Sequence, residues 1–312
     1  MARWGTCRAP PVTHLSFSGP VGNVQPKPFI HDRFPGGPSG GSVATRKVPP
    51  ERLPAAVRCP AMNLTERSLS KVPEITALFW VTKLLTTAMG ESTSDYLVIK
   101  MNPVLAVGLG AVVLLGALVL QFRADRYIPW TYWFTVLMVA IVGTMAADVL
   151  HKQFHVPYAI TTVFFAVVLT AVFMAWHLTE RTLSIHSIVT PRRELFYWAA
   201  VMATFALGTA AGDFTAKTIG LGYFTSAVLF AALMAVPAVG YWRFHLNAIL
   251  AFWTAYVLTR PLGASIADWL GKPKALSGLG WGDGVVTVIF ALLIVVCVGY
   301  LTVSEREARS GV

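Results

Sequence analysis

A spaced triplet of tryptophan, glycine and aspartate recurs four times in this 312-residue chain. In each copy the glycine follows the tryptophan by ten residues and the aspartate follows it by fifteen. The copies are Trp80/Gly90/Asp95, Trp133/Gly143/Asp148, Trp198/Gly208/Asp213 and Trp253/Gly263/Asp268. Each copy lies in a long apolar stretch, and a second apolar stretch without the triplet follows it. The pattern predicts an internal repeat of four units.

Eight apolar stretches have about 20 residues each, the length that crosses the hydrocarbon of a bilayer. They lie near 75–96, 103–121, 130–149, 157–178, 195–214, 222–241, 246–269 and 284–303. With 55% hydrophobic and 13% charged residues, the chain is predicted to be an all-α polytopic membrane protein. Two spans per unit make the repeats parallel, at about 71–121, 127–178, 192–241 and 246–303. Pseudo-four-fold and nested two-fold arrangements both stay open, and Arg260-Pro261 is expected to interrupt the seventh span.

The distribution of basic residues predicts the orientation of the chain. From Met62 onward, ten lysines and arginines flank one set of span ends and five flank the other, which predicts that both termini are cytoplasmic. The transmembrane domain is predicted over 62–312. Residues 1–61 are rich in Pro, Gly, Arg and Ser, and are read as a disordered basic arm or a mis-annotated start. Because much of the +10 net charge lies in this arm, no nucleic-acid partner is expected.

Helical geometry places the triplet on a polar face. At about 100° per residue, the positions 3, 7, 11 and 15 residues after the tryptophan share one side of a helix. In the first repeat these positions are Lys83, Thr87, Glu91 and Asp95. Charged groups are costly against lipid, so we expect this stripe to face the protein interior or a water-filled cavity.

Comparing the four repeats identifies the residues of a candidate ion path. Position 15 is aspartate in every repeat, whereas position 11 is Glu91, Thr144, Thr209 and Ala264. Such oxygens suit a hard cation or a proton relay. The predicted path comprises Lys83, Thr87, Glu91, Asp95, Thr144, Asp148, Thr209, Asp213 and Asp268. Within it, Glu91 and Asp95 are the chief candidate ligands, and Lys83 is the expected charge-balancing group.

Several alternatives stay open at this stage. Lys83 and Arg260 either pair with acids or bind an anionic substrate, and Lys217 is expected to pair with Asp213. The aspartate column is alternatively a relic of duplication that caps the ends of the spans. The repeat glycines are expected to let helices approach closely.

The first repeat also resembles a known family in segments 71–76 and 83–91, in Phe79-Trp80 and in Asp95. Segments 212–215 and 220–222 are similar to later repeats of the same family. This is the uncharacterised bacterial "membrane-anchored protein" family, built from a repeat of unknown function. The resemblance covers about residues 70–303 and implies an integral inner-membrane protein. It implies no particular activity or cofactor.

The leading prediction is a transporter of a cation, either a divalent metal or a proton-coupled solute. Its partners are then the lipid bilayer and a small ion or solute. The alternatives are a non-transporting scaffold or assembly protein, and a membrane-embedded metalloenzyme. An enzyme is not expected, because the chain has no His-Glu-x-x-His or nucleophile motif and no sizeable soluble domain.

Overall fold

The computed structural model describes residues 70–310, with side chains to 307, and contains eight α-helices and no strand in that range. The predicted N-terminal arm at 1–61 lies outside the described residues. The helices are α1 (Ala77–Lys100), α2 (Pro103–Arg123), α3 (Pro129–Lys152), α4 (Tyr158–Glu180), α5 (Pro191–Asp213), α6 (Gly222–Phe244), α7 (Ala248–Gly271) and α8 (Asp283–Ser310). A π turn at Phe214–Thr218 extends α5, and 3-10 turns occur at Ile185–Ser187 and Lys274–Leu276.

Seven of these helices, α2 to α8, are long and apolar enough to cross a membrane. Helix α1 is not among the seven, since Lys83, Glu91 and Asp95 lie along it among several hydroxyl residues. The described chain is thus an all-helical, membrane-compatible protein, as the sequence predicted. The sidedness of the termini stays a prediction.

The motif-bearing helices form a closed inner ring. Helix α1 packs against α3, α3 against α5, α5 against α7, and α7 against α1. Each remaining helix packs on the inner helix of the following repeat: α2 on α3, α4 on α5, α6 on α7, and α8 on α1. This cyclic order favours the pseudo-four-fold arrangement over nested two-fold pairing.

The repeat glycines lie at the contacts of this ring. Each one faces, on the next inner helix, the residue three positions before that helix's own repeat glycine. The pairs are Gly90 with Ala140, Gly143 with Phe205, Gly208 with Arg260, and Gly263 with Thr87. A Cβ added to Gly143 would lie 2.7 Å from the Cβ of Phe205, so a side chain does not fit there. The predicted role in close helix approach agrees with this geometry.

The predicted interruption at Arg260-Pro261 is wrong, because α7 continues through both residues. Proline lacks the N–H that would continue the helical ladder, but neighbouring helices make such breaks tolerable in membrane proteins. Here Gly208 and Gly212 of α5 both face Pro261. The small residues of one helix accommodate the proline ring of the other.

Candidate functional site

The central side chains of the inner ring form successive layers along the helices. Counted from each repeat tryptophan, the layers lie at the tryptophan and at positions 3, 7, 11 and 15. Nearly all of these side chains are buried, including charged ones such as Lys83, Glu91 and Arg260. We call this stack the polar column; it contains every residue of the predicted ion path.

Packed aromatic rings close one end of the polar column. Each repeat tryptophan follows another aromatic residue, and the pairs are Phe79-Trp80, Tyr132-Trp133, Tyr197-Trp198 and Phe252-Trp253. The hydroxyls of Tyr132 and Tyr197 lie 2.5 Å apart, and the indole of Trp253 donates to the Leu183 carbonyl at 2.9 Å. Three of the four repeat tryptophans are buried, and Trp80 is half-buried. The tryptophans are therefore core residues of the bundle.

Lys83 lies in the layer next to this aromatic end. Its side chain is 1% exposed, and its Nζ is 4.0 Å from the ring centre of Phe205 and 4.1 Å from that of Tyr256. The Nζ atom has no hydrogen-bond partner in the part of the chain that the structure describes. The predicted charge-balancing role of Lys83 is therefore wrong for this arrangement, since the ammonium contacts aromatic rings and no carboxylate.

Arg260 is the residue that pairs with Glu91. Its Nη2 donates to Glu91 Oε2 at 2.6 Å, to Thr209 Oγ1 at 2.6 Å, and to Thr144 Oγ1. These four residues come from four different inner helices, so one guanidinium links the whole ring. Ala264 is the fourth-repeat residue of the layer that contains Glu91, Thr144 and Thr209, and its side chain has no polar atom. Arg260, four residues earlier on the same helix, supplies the polar group in that layer. Two predicted threonines thus meet at the column centre.

The third predicted threonine, Thr87, has a different surrounding. Its Oγ1 donates to the Lys83 carbonyl at 2.7 Å, and its methyl group faces Gly263. The hydroxyl therefore bonds to the backbone of its own helix, as buried threonines in helices commonly do. Its contacts indicate a packing role at the α1–α7 contact.

The four repeat aspartates form a layer in which each is matched with a lysine. Asp148 pairs with Lys152 at 2.9 Å, Asp213 with Lys217 at 2.8 Å, and Asp95 with Lys272 at 2.5 Å. The expected Asp213–Lys217 pair is confirmed. Lys152 of α3 also lies 3.6 Å from Asp95 of α1, and Lys272 lies 3.8 Å from Asp268, four residues before it at the end of α7.

Sequence reasoning missed the importance of Lys152 and Lys272. In three repeats a lysine follows the aspartate by four residues, whereas the first repeat has Ile99 there. That spacing was the available signal. Burial lowers the pKa of Lys272, but the carboxylates of Asp95 and Asp268 more than offset this and hold its pKa above the usual range. The Lys272 side chain lies just beyond the end of α7 and remains a cation at physiological pH.

Three carboxylates of the polar column lie close enough to share one cation. Oxygen atoms of Glu91, Asp95 and Asp268 all lie within 4.8 Å of one another, and all three residues are buried. We call these three residues the carboxylate cluster. Two of its members were the predicted chief ligands, and the third belongs to the same predicted path. Asp148 and Asp213 lie outside the cluster, paired with their own lysines.

Comparison with known proteins identifies the repeat and gives no biochemical activity. No curated protein and no solved structure matches the chain. A family model described as a Repeat of Unknown Function (DUF347) matches residues 78–127, 131–182, 196–246 and 251–307. These matches confirm the four repeats and the family resemblance. The chain therefore belongs to the DUF347 repeat family.

Proposed function

We propose that the protein is a membrane transporter that moves a cation, either a divalent metal or a proton coupled to a solute, along the polar column. The observation that supports this most is the carboxylate cluster, Glu91, Asp95 and Asp268, buried among the inner helices of a membrane-compatible bundle. Hard cations prefer several oxygen ligands, and carboxylates are the strongest that proteins supply. Buried acids in such a bundle commonly belong to ion or proton pathways.

The positive groups around the cluster suggest how a cation is exchanged. Three carboxylates in a low-dielectric interior require compensating positive charge. Arg260 supplies one charge to Glu91, and the ammonium of Lys272 supplies another to Asp95 and Asp268. In the proposed mechanism an entering cation or proton displaces the Lys272 ammonium. The side chain of Lys272 is 14% exposed, so the displaced group has a route toward solvent.

Loss of flux in defined variants tests this proposal. The purified protein is reconstituted into liposomes that contain a pH-sensitive dye. Uptake of Mn²⁺, Mg²⁺, Ca²⁺, Zn²⁺ and Na⁺ into these liposomes is then measured with and without a pH gradient. Asp95→Asn and Glu91→Gln are expected to reduce flux of the transported ion by about tenfold or more, since each removes a charged ligand. Asp125→Asn is the matched control, because Asp125 is exposed between α2 and α3.

Two results of that experiment contradict transport of a cation. One is a wild-type protein whose flux equals that of empty liposomes for every ion in the panel. The other is an Asp95→Asn variant that inserts normally and retains wild-type flux. Either result would remove the carboxylate cluster from an ion path.

A non-transporting scaffold is the second candidate, and the aspartate–lysine pairs favour it. Two of these lysines link neighbouring inner helices, since Lys152 of α3 and Lys272 at the α7 end both contact Asp95 of α1. In a scaffold they act only as structural links. A scaffold is expected to keep its cellular function in Glu91→Gln and Asp95→Asn, provided that the variants insert and fold. No catalytic step is part of either proposal.

A further inference from the structure

Two fully buried basic side chains in the polar column have hydrogen-bond donors that no described residue accepts. Lys83 is 1% exposed and Arg260 is 0% exposed. Arg260 uses Nη2 for Glu91 and the two threonines, whereas its Nε and Nη1 atoms have no partner among residues 70–307. The Nζ atom of Lys83 has no partner there either. Buried polar groups in proteins are nearly always bonded, so these donors point to a ligand.

The charges at this level of the column do not balance. With Lys83 protonated, Lys83 and Arg260 contribute two positive charges, and Glu91 contributes one negative charge. The aspartate layer is too distant to compensate Lys83, because Asp95 follows it by twelve residues, about 18 Å along a helix. Its four aspartates also have closer cations, since three lysines contact them and Lys272 is shared by Asp95 and Asp268. One buried positive charge is left near Lys83.

The side chains around Lys83 offer little compensation. Phe205 and Tyr256 face its ammonium with their rings, which stabilise a cation but do not replace a charged acceptor. Val136 and Val201, at the same repeat position as Lys83 on α3 and α5, are apolar and buried. The ring of Phe205 also lies 5.5 Å from the Cζ of Arg260, so both cations border the same aromatic face.

We infer that Lys83 and Arg260 form a binding site for a small monovalent anion, a halide or a carboxylate group. The excess of a single positive charge favours one negative charge over the two of a phosphate. An anion here accepts from the unused donors of both residues. The site is distinct from the carboxylate cluster, and its existence does not depend on cation transport.

Anion titration of the purified full-length protein in detergent tests this site. Binding is measured by calorimetry, with chloride or acetate replacing the bulky sulfonate isethionate at constant sodium concentration. Saturable binding of chloride, of acetate, or of both is expected, with a matching rise in Tm. Binding of chloride alone identifies an inorganic anion, and binding of acetate alone identifies the carboxylate of a solute. Isotherms for both anions that equal the isethionate baseline would overturn the inference.

Matched lysine variants locate the binding. Lys83→Met keeps the apolar stem and is expected to weaken anion binding about tenfold or more, since it removes a charged donor. Lys83→Arg is expected to restore part of it, and Lys100→Met, at an exposed position of the same helix, leaves it unchanged. A folded Lys83→Met variant that binds the anion with wild-type affinity would contradict the assignment of the site to Lys83. If that variant does not fold, the titration of the wild-type protein alone tests whether the anion site exists.

The variant Asp95→Asn separates this inference from transport. It is expected to lose cation flux but to retain anion binding, because Asp95 belongs to the carboxylate cluster. A protein that moves no cation and still binds the anion through Lys83 would overturn the proposed function alone. A protein with normal cation flux and no anion binding would overturn this inference alone.

Discussion

The inner and outer helices of each repeat differ in what surrounds them and therefore in what they can contain. In the most apolar stretch of each helix, 67% of the residues are buried in α3, α5 and α7, whereas 22% are buried in α2, α4, α6 and α8. Nearly all buried charged residues of the described chain lie on the inner helices or at their ends. Lipid cannot satisfy a charge, but a neighbouring helix can. The difference shows that position in the ring, more than apolar composition, determines where charge is tolerated.

A second contrast exists within the inner ring. The backbone follows a four-fold order, but the charged side chains do not. The first and fourth repeats contribute Glu91 and Arg260 to the column centre, whereas the second and third contribute Thr144 and Thr209. A symmetric scaffold thus contains an asymmetric site.

Among the tests of the contrast between inner and outer helices, the largest loss of stability is expected when the guanidinium of Arg260 is removed. Arg260→Met leaves Glu91 buried without its partner, and an unpaired buried charge costs about 3–5 kcal/mol. We expect a loss of that size in the free energy of unfolding, measured by chemical denaturation in detergent. The double variant Glu91→Gln/Arg260→Met removes both charges and is expected to recover much of the loss. A single variant as stable as wild type would show that the pair does not hold the ring together.

A smaller loss of stability is expected when a side chain is added at a repeat glycine. Gly143→Val places a side chain against Phe205, where even a Cβ lies only 2.7 Å away, so a loss of about 3 kcal/mol is expected. Gly116→Val on α2 is the matched control, because no atom lies within 4 Å of the added Cβ. Fluorescence-detected size exclusion across a temperature series measures both. Equal Tm values for the two variants would contradict the close packing of the inner ring.

The smallest expected effect compares two valines. Val201 on α5 is 0% exposed, and Val112 on α2 is 67% exposed. Val201→Ala leaves a cavity and is expected to cost roughly 1–2 kcal/mol, between the usual losses for isoleucine-to-valine and leucine-to-alanine changes. Val112→Ala is expected to stay within about 0.5 kcal/mol, because lipid fills the space. A larger loss at Val112, measured in the same denaturation assay, would place a protein partner on the outer face.

The burial of the charged residues on the inner helices could be predicted from their spacing along the sequence. The angles along an ideal helix put Lys83, Glu91 and Asp95 on one face, and the structure buries all three. The partners of these residues could not be predicted in the same way. Glu91 and Arg260 are 169 residues apart in the chain, and Asp95 and Lys272 are 177 apart. Such pairs depend on which helices become neighbours, a choice that no local pattern records.

The sequence by itself determined the four repeats, the helical class and the polar face of each motif helix, because periodicity and hydropathy are properties of single segments. Only the tertiary structure decided that the ring closes, that Arg260 rather than Lys83 neutralises Glu91, and that Asp268 joins Glu91 and Asp95. The physical reason is that a charge buried among helices chooses the nearest counter-charge in space. The aspartate at position 15 is identical in all four repeats, yet Asp95, which lacks the lysine four residues later, takes its partners from other helices.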